Sequence, residues 1–187
     1  PLSRDRCDFG RGFYLGTNLC QPLTLICDFP DARLYTAELE LDGLDVRELS
    51  PDITWALVVA YHRGKMESAR DTELYAATAA VLAGADVAIG PIANDRMFVV
   101  LDRFFNGEIT DVALVKSLSA LQLGDQVVAL TQKACDAIRI IEERGLEEAE
   151  RAELIATSEM NRAEGVALAE RICREHRRDG RFFDEIL

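Results

Sequence analysis

Apolar and polar positions divide the chain into three unequal stretches. Over residues 1–49 the pattern is β-like. Asp8-Phe9-Gly10-Arg11-Gly12-Phe13-Tyr14-Leu15 is a glycine-punctuated turn that enters a short apolar strand. Tyr35, Ala37, Leu39 and Leu41 then alternate with Thr36, Glu38 and Glu40, the period-two signature of a half-buried strand. Asp42-Gly43 closes that strand in a turn.

From residue 50 the period lengthens. Ser50 before Pro51 supplies a capping hydroxyl and a proline at the first helical position. Ile53, Ala56, Leu57, Ala60 and Tyr61 form a helical stripe, while Trp55, Val58 and Val59 make the other face apolar. The pattern predicts a helix buried on most sides and stopped at Gly64. A second helix is expected over 67–83, ending at Gly84, and Asp86 to Pro91 reads as a short strand. Asn94 or Asp95 would cap a helix from Arg96 to Phe105, closed by Asn106-Gly107. Thr110 caps another, with Val112, Val115 and Leu118 on one face. Gly124 to Leu130 is a turn and strand, and Thr131 caps a helix expected to run to Arg144-Gly145.

Residues 146–187 differ in composition, with eleven acids, seven arginines and no proline. Leu154, Ile155, Val166, Leu168 and Ile172 make a thin apolar stripe, which predicts a long amphipathic helix or a helix pair. Phe182 and Phe183 need a place to bury, so the extension is either docked on the preceding fold or offered to a partner. The expected organisation is a domain over 1–145 and a helical C-terminal extension over 146–187.

Composition narrows the class. The chain has 187 residues, 21 Lys plus Arg against 33 Asp plus Glu, and a net charge of −12. With 49% hydrophobic residues it has material for a core and is neither disordered nor collagen-like in composition. The acidic balance argues against general nucleic-acid binding, which needs a basic face. No apolar run approaches the roughly 20 residues that cross a bilayer, and the start has no signal-peptide pattern. No membrane partner is therefore expected. The chain does not begin with Met, which leaves open whether Pro1 is the biological start. Cys7, Cys20, Cys27, Cys135 and Cys173 are scattered without a CxxC pair, so buried thiols in a reducing cytoplasm are expected, with no metal site. His62 and His176 are too isolated for a metal site or a triad, and His62 is expected to partner the surface of the helix over 51–63 or its last carbonyls. Pattern and composition together indicate a cytoplasmic α+β protein.

Three stretches could carry chemistry. In Gly10-Arg11-Gly12-Phe13-Tyr14 the glycines permit a tight turn or close approach to a ligand, and Phe13 and Tyr14 point to opposite faces. The same residues also suit a purely structural turn. Gly90-Pro91-Ile92-Ala93-Asn94-Asp95-Arg96 gathers backbone N–H groups, an arginine and a carboxylate at a helix start, where they can hold an anion or simply cap the helix. Asp125-Gln126 opens a strand, either as polar loop termination or as part of a site.

Taken in order, these pieces resemble the bacterial family DUF3990. The resemblance is carried by Asp8-Phe9-Gly10-Arg11-Gly12-Phe13-Tyr14-Leu15-Gly16-Thr17 with Gln21, by Trp55 with Tyr61-His62-Arg63, by Asp86 through Asp95, and by Asp125-Gln126-Val127. It spans residues 4 to about 144 and leaves the extension outside. It implies an ADP-ribosyltransferase-like fold: an α+β architecture with a small mixed or antiparallel sheet, flanking helices and the C-terminal helical extension. Some members resemble toxins of toxin–antitoxin pairs.

Gly10-Arg11-Gly12-Phe13-Tyr14 is similar to the Gly-x-Gly-aliphatic-Tyr strand of transferases of the poly(ADP-ribose) polymerase type. By that likeness Tyr14 would stack on the nicotinamide of NAD, with Gly10, Gly12 and Thr17 beside it and Arg4 or Arg11 on the pyrophosphate. The implied catalytic positions are Asp95, Asp125 and Gln126, with Gln126 where a glutamate is expected. The family's opening His-Gly-Ser strand has no counterpart in this sequence. Two readings follow. One is an NAD-dependent ADP-ribosyltransferase acting on a protein or nucleic-acid target, with a cognate antitoxin as partner. The other is an inactive member of the fold that acts as an interaction or oligomerisation module, its 146–187 extension engaging a second copy or a cognate antitoxin.

Overall fold

Two sheets organise the chain, and helices contribute most of the core. The computed structural model describes residues 5–93, 99–120 and 123–187. The chain order is β1 (Phe13–Gly16), α1 (Cys20–Ile26), β2 (Arg33–Leu39), β3 (Val46–Glu48), α2 (Ile53–His62), α3 (Glu73–Ala80) and β4 (Val87–Pro91). It continues with α4 (Val99–Phe105), α5 (Asp111–Leu118), β5 (Asp125–Ala129), α6 (Gln132–Asp136), β6 (Ile138–Gly145) and α7 (Glu148–Glu175). The first sheet runs β1-β5-β4-β3 and is mixed: β5 is antiparallel to both β1 and β4, whereas β3 is parallel to β4. The second is an antiparallel ribbon of β2 and β6. The architecture is therefore mixed α+β, as the sequence pattern implied.

The centre of the core is α2. Six consecutive residues, Trp55 to Ala60, are buried, as expected for a helix apolar on every side. It packs with Phe9, Met66, Leu101, Phe104, Leu114 and Val128 in one cluster. Its cap differs from expectation. Asp52, and not Ser50, takes the extended conformation and accepts from the Trp55 amide at 3.0 Å, because the helix begins at Ile53 and Ser50 lies too far upstream. Gly64, at φ +71°, follows the helix end in the left-handed conformation.

Elsewhere the expected caps Thr110 and Thr131 accept from Ala113 and Ala134 amides at 3.3 and 3.2 Å. Asp86 ties three elements together: its carboxylate accepts from Thr131 Oγ1 at 2.7 Å, Asp45 N at 3.0 Å and Lys133 Nζ at 3.1 Å. Those donors, Thr131 first, hold its acidity at about 2, below the usual carboxylate range.

Several expected elements change. The helix over 67–83 divides into a 3-10 turn at Glu67–Ala69 and α3, which Thr72 caps by accepting from Tyr75 N at 3.2 Å. The Thr131 helix stops at Asp136, and Ile138–Gly145 is a strand instead. Its three isoleucines favour the pleated conformation and β2 supplies the ladder. In α5 the buried residues are Ala113, Leu114, Ser117 and Leu118, with Val112 and Val115 only half-buried. In β2 a register shift between Thr36 and Ala37 breaks the simple alternation, so Leu34 is buried and Tyr35 is exposed. Asn94, Asp95 and Arg96, the expected cap and start of α4, lie outside the described residues. Cys27 and Cys173 are buried thiols as expected, but Cys20 is exposed. No helix among the described residues is long and apolar enough to cross a membrane.

The extension docks on the rest of the fold. Its buried positions on α7 include Gly165, Ala169 and Cys173, small side chains four residues apart that let the helix approach α5 closely. Cys173 Sγ lies 3.6 Å from Ser117 Oγ. Beyond α7, Thr110 Oγ1 donates to His176 O at 3.2 Å, and the backbone of Arg181 exchanges bonds of 2.9 Å with the Asp111 amide and carboxylate. Gly180 fits there because a Cβ would meet Asp111 Oδ1 at 2.1 Å. Phe183 is buried against Phe104 and Phe105, with ring centroids 5.6 and 4.8 Å apart. Phe183→Ala is therefore expected to lower unfolding stability by about 3 kcal/mol in urea titration. An unchanged midpoint would show the extension to be energetically separate from the core.

Candidate functional site

The glycine turn is held shut from inside. Gly10 N donates to Cys7 O at 3.1 Å, and the Tyr14 hydroxyl donates back to Gly10 O at 2.7 Å while accepting from Phe9 N at 3.0 Å. This places the phenol within the loop that its own strand follows, and burial pushes its pKa well up. Gly10 has φ +84°, and a Cβ there would lie 2.8 Å from His62 Nδ1. At Gly12 a Cβ would lie 2.6 Å from Val128 Cγ1 and 2.8 Å from Ala129 O. The space that both glycines leave is thus occupied by protein atoms.

Below the turn sits a buried polar node. Asp8 is only 5% exposed. Its Oδ1 accepts from Arg63 Nε and Nη2 at 2.9 and 2.6 Å, and its Oδ2 accepts from Gln126 Nε2 at 2.9 Å. The same Gln126 nitrogen donates to Pro91 O at 3.1 Å, an oxygen that Trp55 Nε1 also reaches at 3.0 Å. A buried carboxylate needs such partners, and an arginine at the end of α2 supplies both charge and directed donors. Gln126 is 6% exposed, and among the described residues no donor reaches its Oε1. His62, one residue before Arg63, packs edge-on against Tyr61 with centroids 5.0 Å apart, and burial lowers its pKa. It faces Gly10.

The candidate residues divide accordingly. Gly16 is opposite Gln126 and Tyr14 opposite Val128, so Tyr14 and Gln126 share one face of the β1–β5 pair. Asp125 belongs to the opposite face and is exposed, so the two adjacent catalytic candidates do not converge. Thr17 continues the ladder: its amide and Oγ1 donate to Asp125 O at 2.9 and 3.1 Å, and its Oγ1 accepts from Asp125 N at 3.0 Å. Arg11 is exposed and paired with Asp5 Oδ1 at 2.5 Å. Arg4 and Asp95 lie outside the described residues. The sequence reading missed Asp8 as a partner of Gln126, Arg63 as the donor that shares Asp8 with it, and Trp55 as the donor that shares the Pro91 carbonyl. All three stood in the motif pieces, but an acid before a glycine turn gives no sign that it is buried. Among the described residues no group of three or more His, Cys, Asp or Glu is arranged to hold a metal ion.

The node joins residues from all four motif stretches, and the same span is what a family model recognises. The model of DUF3990, described as a protein of unknown function, matches residues 1–140. The chain belongs to the DUF3990 family. Comparison with curated proteins and with solved structures gives no match. Within this DUF3990 chain the matched region ends inside β6, so α7 and the docked terminus lie beyond it.

Two outcomes follow from the geometry. Asp8→Asn removes the carboxylate charge to which Arg63 Nε and Nη2 donate, and is expected to cost about 3 kcal/mol by chemical denaturation. A loss below about 0.5 kcal/mol would mean the node is solvated. His62 has a folded-state pKa below its unfolded value, so the unfolded chain binds the proton first. Its contribution is complete above pH of about 6.5 and is lost as pH falls from there toward the lowered folded-state pKa. Thermal melts of His62→Gln against the native chain are expected to converge over that window. Parallel curves would show that the ring titrates freely.

Proposed function

We propose that this DUF3990 protein is an ADP-ribosyltransferase-like protein that takes NAD as substrate beside Tyr14 and Gln126. The observation that carries the reading is the position of Gln126. Its two donated bonds are spent inside the protein, which fixes the carboxamide and leaves Oε1 as an acceptor beside the Tyr14 strand. A fixed acceptor suits a ribose hydroxyl, and the half-buried Tyr14 ring offers stacking area to a nicotinamide. Exposed Arg11 can exchange Asp5 for a pyrophosphate. NAD supplies a ribosyl group whose bond to nicotinamide breaks with the electron pair leaving on nicotinamide. A target nucleophile then bonds to the ribose carbon and gives up its proton. Gln126 orients the sugar without adding charge, so the chemistry is expected to be slow unless a carboxylate such as Asp95 assists. In this reading the protein works in the cytoplasm as the toxin of a toxin–antitoxin pair, on a protein or nucleic-acid target.

A second reading has its own observation. Gly10 and Gly12 are filled by His62 and Val128, and the Tyr14 hydroxyl and Gln126 amide are already engaged. Those facts favour a fold that keeps the motif for stability and acts through its surface. Titration calorimetry with NAD separates the two. The enzyme reading expects saturable heat, weakened about ten-fold or more by Gln126→Ala. Absence of heat from the folded native chain would leave the interaction module.

A further inference from the structure

Near its end the C-terminal extension forms one wall of a cleft. Glu170, Cys173, Arg174 and Arg177 recur at intervals of three and four, so they share one side of α7 and of the residues just past it. Facing them are Arg103, in the last turn of α4, and Glu108 and Ile109 from the α4–α5 connection. Between these walls lies a volume of about 500 Å³, within the range that small-molecule sites occupy. Ile109 and Cys173 are buried in the main core cluster, and Cys173 Sγ lies 3.6 Å from Ser117 Oγ. The inner surface of the cleft is therefore fixed by the core.

Its rim carries charges that the protein itself hardly uses. Arg103 Nε reaches Glu108 Oε2 only at 3.4 Å, and Arg174 Nη1 stands 3.9 Å from Glu170 Oε2. Arg177 has no acidic partner among the described residues. Solvated pairs at such distances contribute little, so a ligand displaces them at small cost. Nor do these guanidiniums serve as helix caps. At the end of α4 the carbonyls of Asp102, Arg103 and Phe104 accept from the amides of Asn106, Glu108 and Gly107. Past α7, His176 O accepts from Asp179 N and from Thr110 Oγ1. In a chain of net charge −12, three arginines against two glutamates around one cleft leave a local positive surplus for an anion.

The glutamates narrow the ligand. Guanidinium forks match the oxygens of a phosphate, which accepts from several donors at once. A bare polyanion is repelled by Glu108 and Glu170, whereas hydroxyls beside a phosphate give both carboxylates donors to accept from. We propose that the cleft between α7 and the α4–α5 connection binds a phosphorylated sugar. Its phosphate lies on Arg103, Arg174 and Arg177, and its hydroxyls on Glu108 and Glu170. A free sugar phosphate and the same group within a nucleotide share this chemistry. None of the lining residues belongs to the Asp8–Gln126 node, so this site stands apart from the one proposed for NAD.

Titration calorimetry of the full chain with ribose 5-phosphate, adenosine monophosphate and inorganic phosphate tests the proposal at physiological salt. Saturable binding of a sugar phosphate is expected, with inorganic phosphate about ten-fold weaker or more. Whichever of the first two ligands binds more tightly identifies the source. Arg174→Ala and Arg177→Ala, at exposed positions, are each expected to weaken binding about ten-fold with circular dichroism unchanged. Glu170→Ala is expected to erase the preference for the sugar phosphate over inorganic phosphate. Gln126→Ala is expected to leave the affinity as it is, which separates this outcome from that of the NAD titration. A native chain that binds neither sugar phosphate at millimolar concentration overturns the proposal. So does binding indifferent to both arginine substitutions. Inorganic phosphate held as tightly as the sugar phosphate also overturns it, because the glutamates then select nothing.

Discussion

A carboxylate cannot be buried without partners, and in this chain one such carboxylate sets the positions of four elements. Asp8 lies before β1, Arg63 just after α2, and Gln126 near the start of β5, 118 residues from Asp8 in sequence. Through Gln126 and Trp55 the Pro91 carbonyl brings in the end of β4. Moving any of these leaves an unsatisfied charge or donor in a dry place, which costs far more than the bond itself gains. The apolar core around α2 supplies most of the driving force, as cores do. The node decides how that core is registered against the glycine turn.

The motif has a double character in consequence. Gly10 and Gly12 serve packing, since His62 and Val128 occupy the room they leave. Tyr14 uses its hydroxyl to close the turn and keeps its ring on the face that it shares with Gln126. The same restraints that look structural also orient Gln126, and an acceptor held still in a poorly solvated place is what recognition of a sugar hydroxyl requires. Structural duty and NAD binding are therefore compatible at Gln126. They compete at the glycines, whose space protein atoms fill, and at the Tyr14 hydroxyl, which closes the turn.

Local chemistry made much of this legible. The all-apolar face of Ile53 to Tyr61, the threonine caps at 110 and 131, and the turns at Gly64 and Gly107 each follow from a few neighbouring residues. What failed depends on distant partners. Residues 138–145 carry helix-compatible spacing, and only pairing with β2 makes them a strand. The seat of α7 uses Gly165, Ala169 and Cys173, which a search for large apolar side chains passes over. Asp8 looked like a turn residue because burial is a property of the assembled fold. The four motif stretches were visible as pieces, but the sequence held no sign that one carboxylate joins three of them and a carbonyl joins the fourth.

The central claim is that Asp8 and Gln126 are energetically coupled across the fold, and a double-mutant cycle measures that coupling. Asp8→Ala, Gln126→Ala and the combined variant would be compared by urea denaturation at neutral pH. The node requires a coupling energy of about 1–3 kcal/mol, because each substitution already removes the bond that the other would lose. Costs that add to within about 0.5 kcal/mol would mean that the two residues do not share a buried hydrogen bond, and the proposed organisation of the site would fail with them.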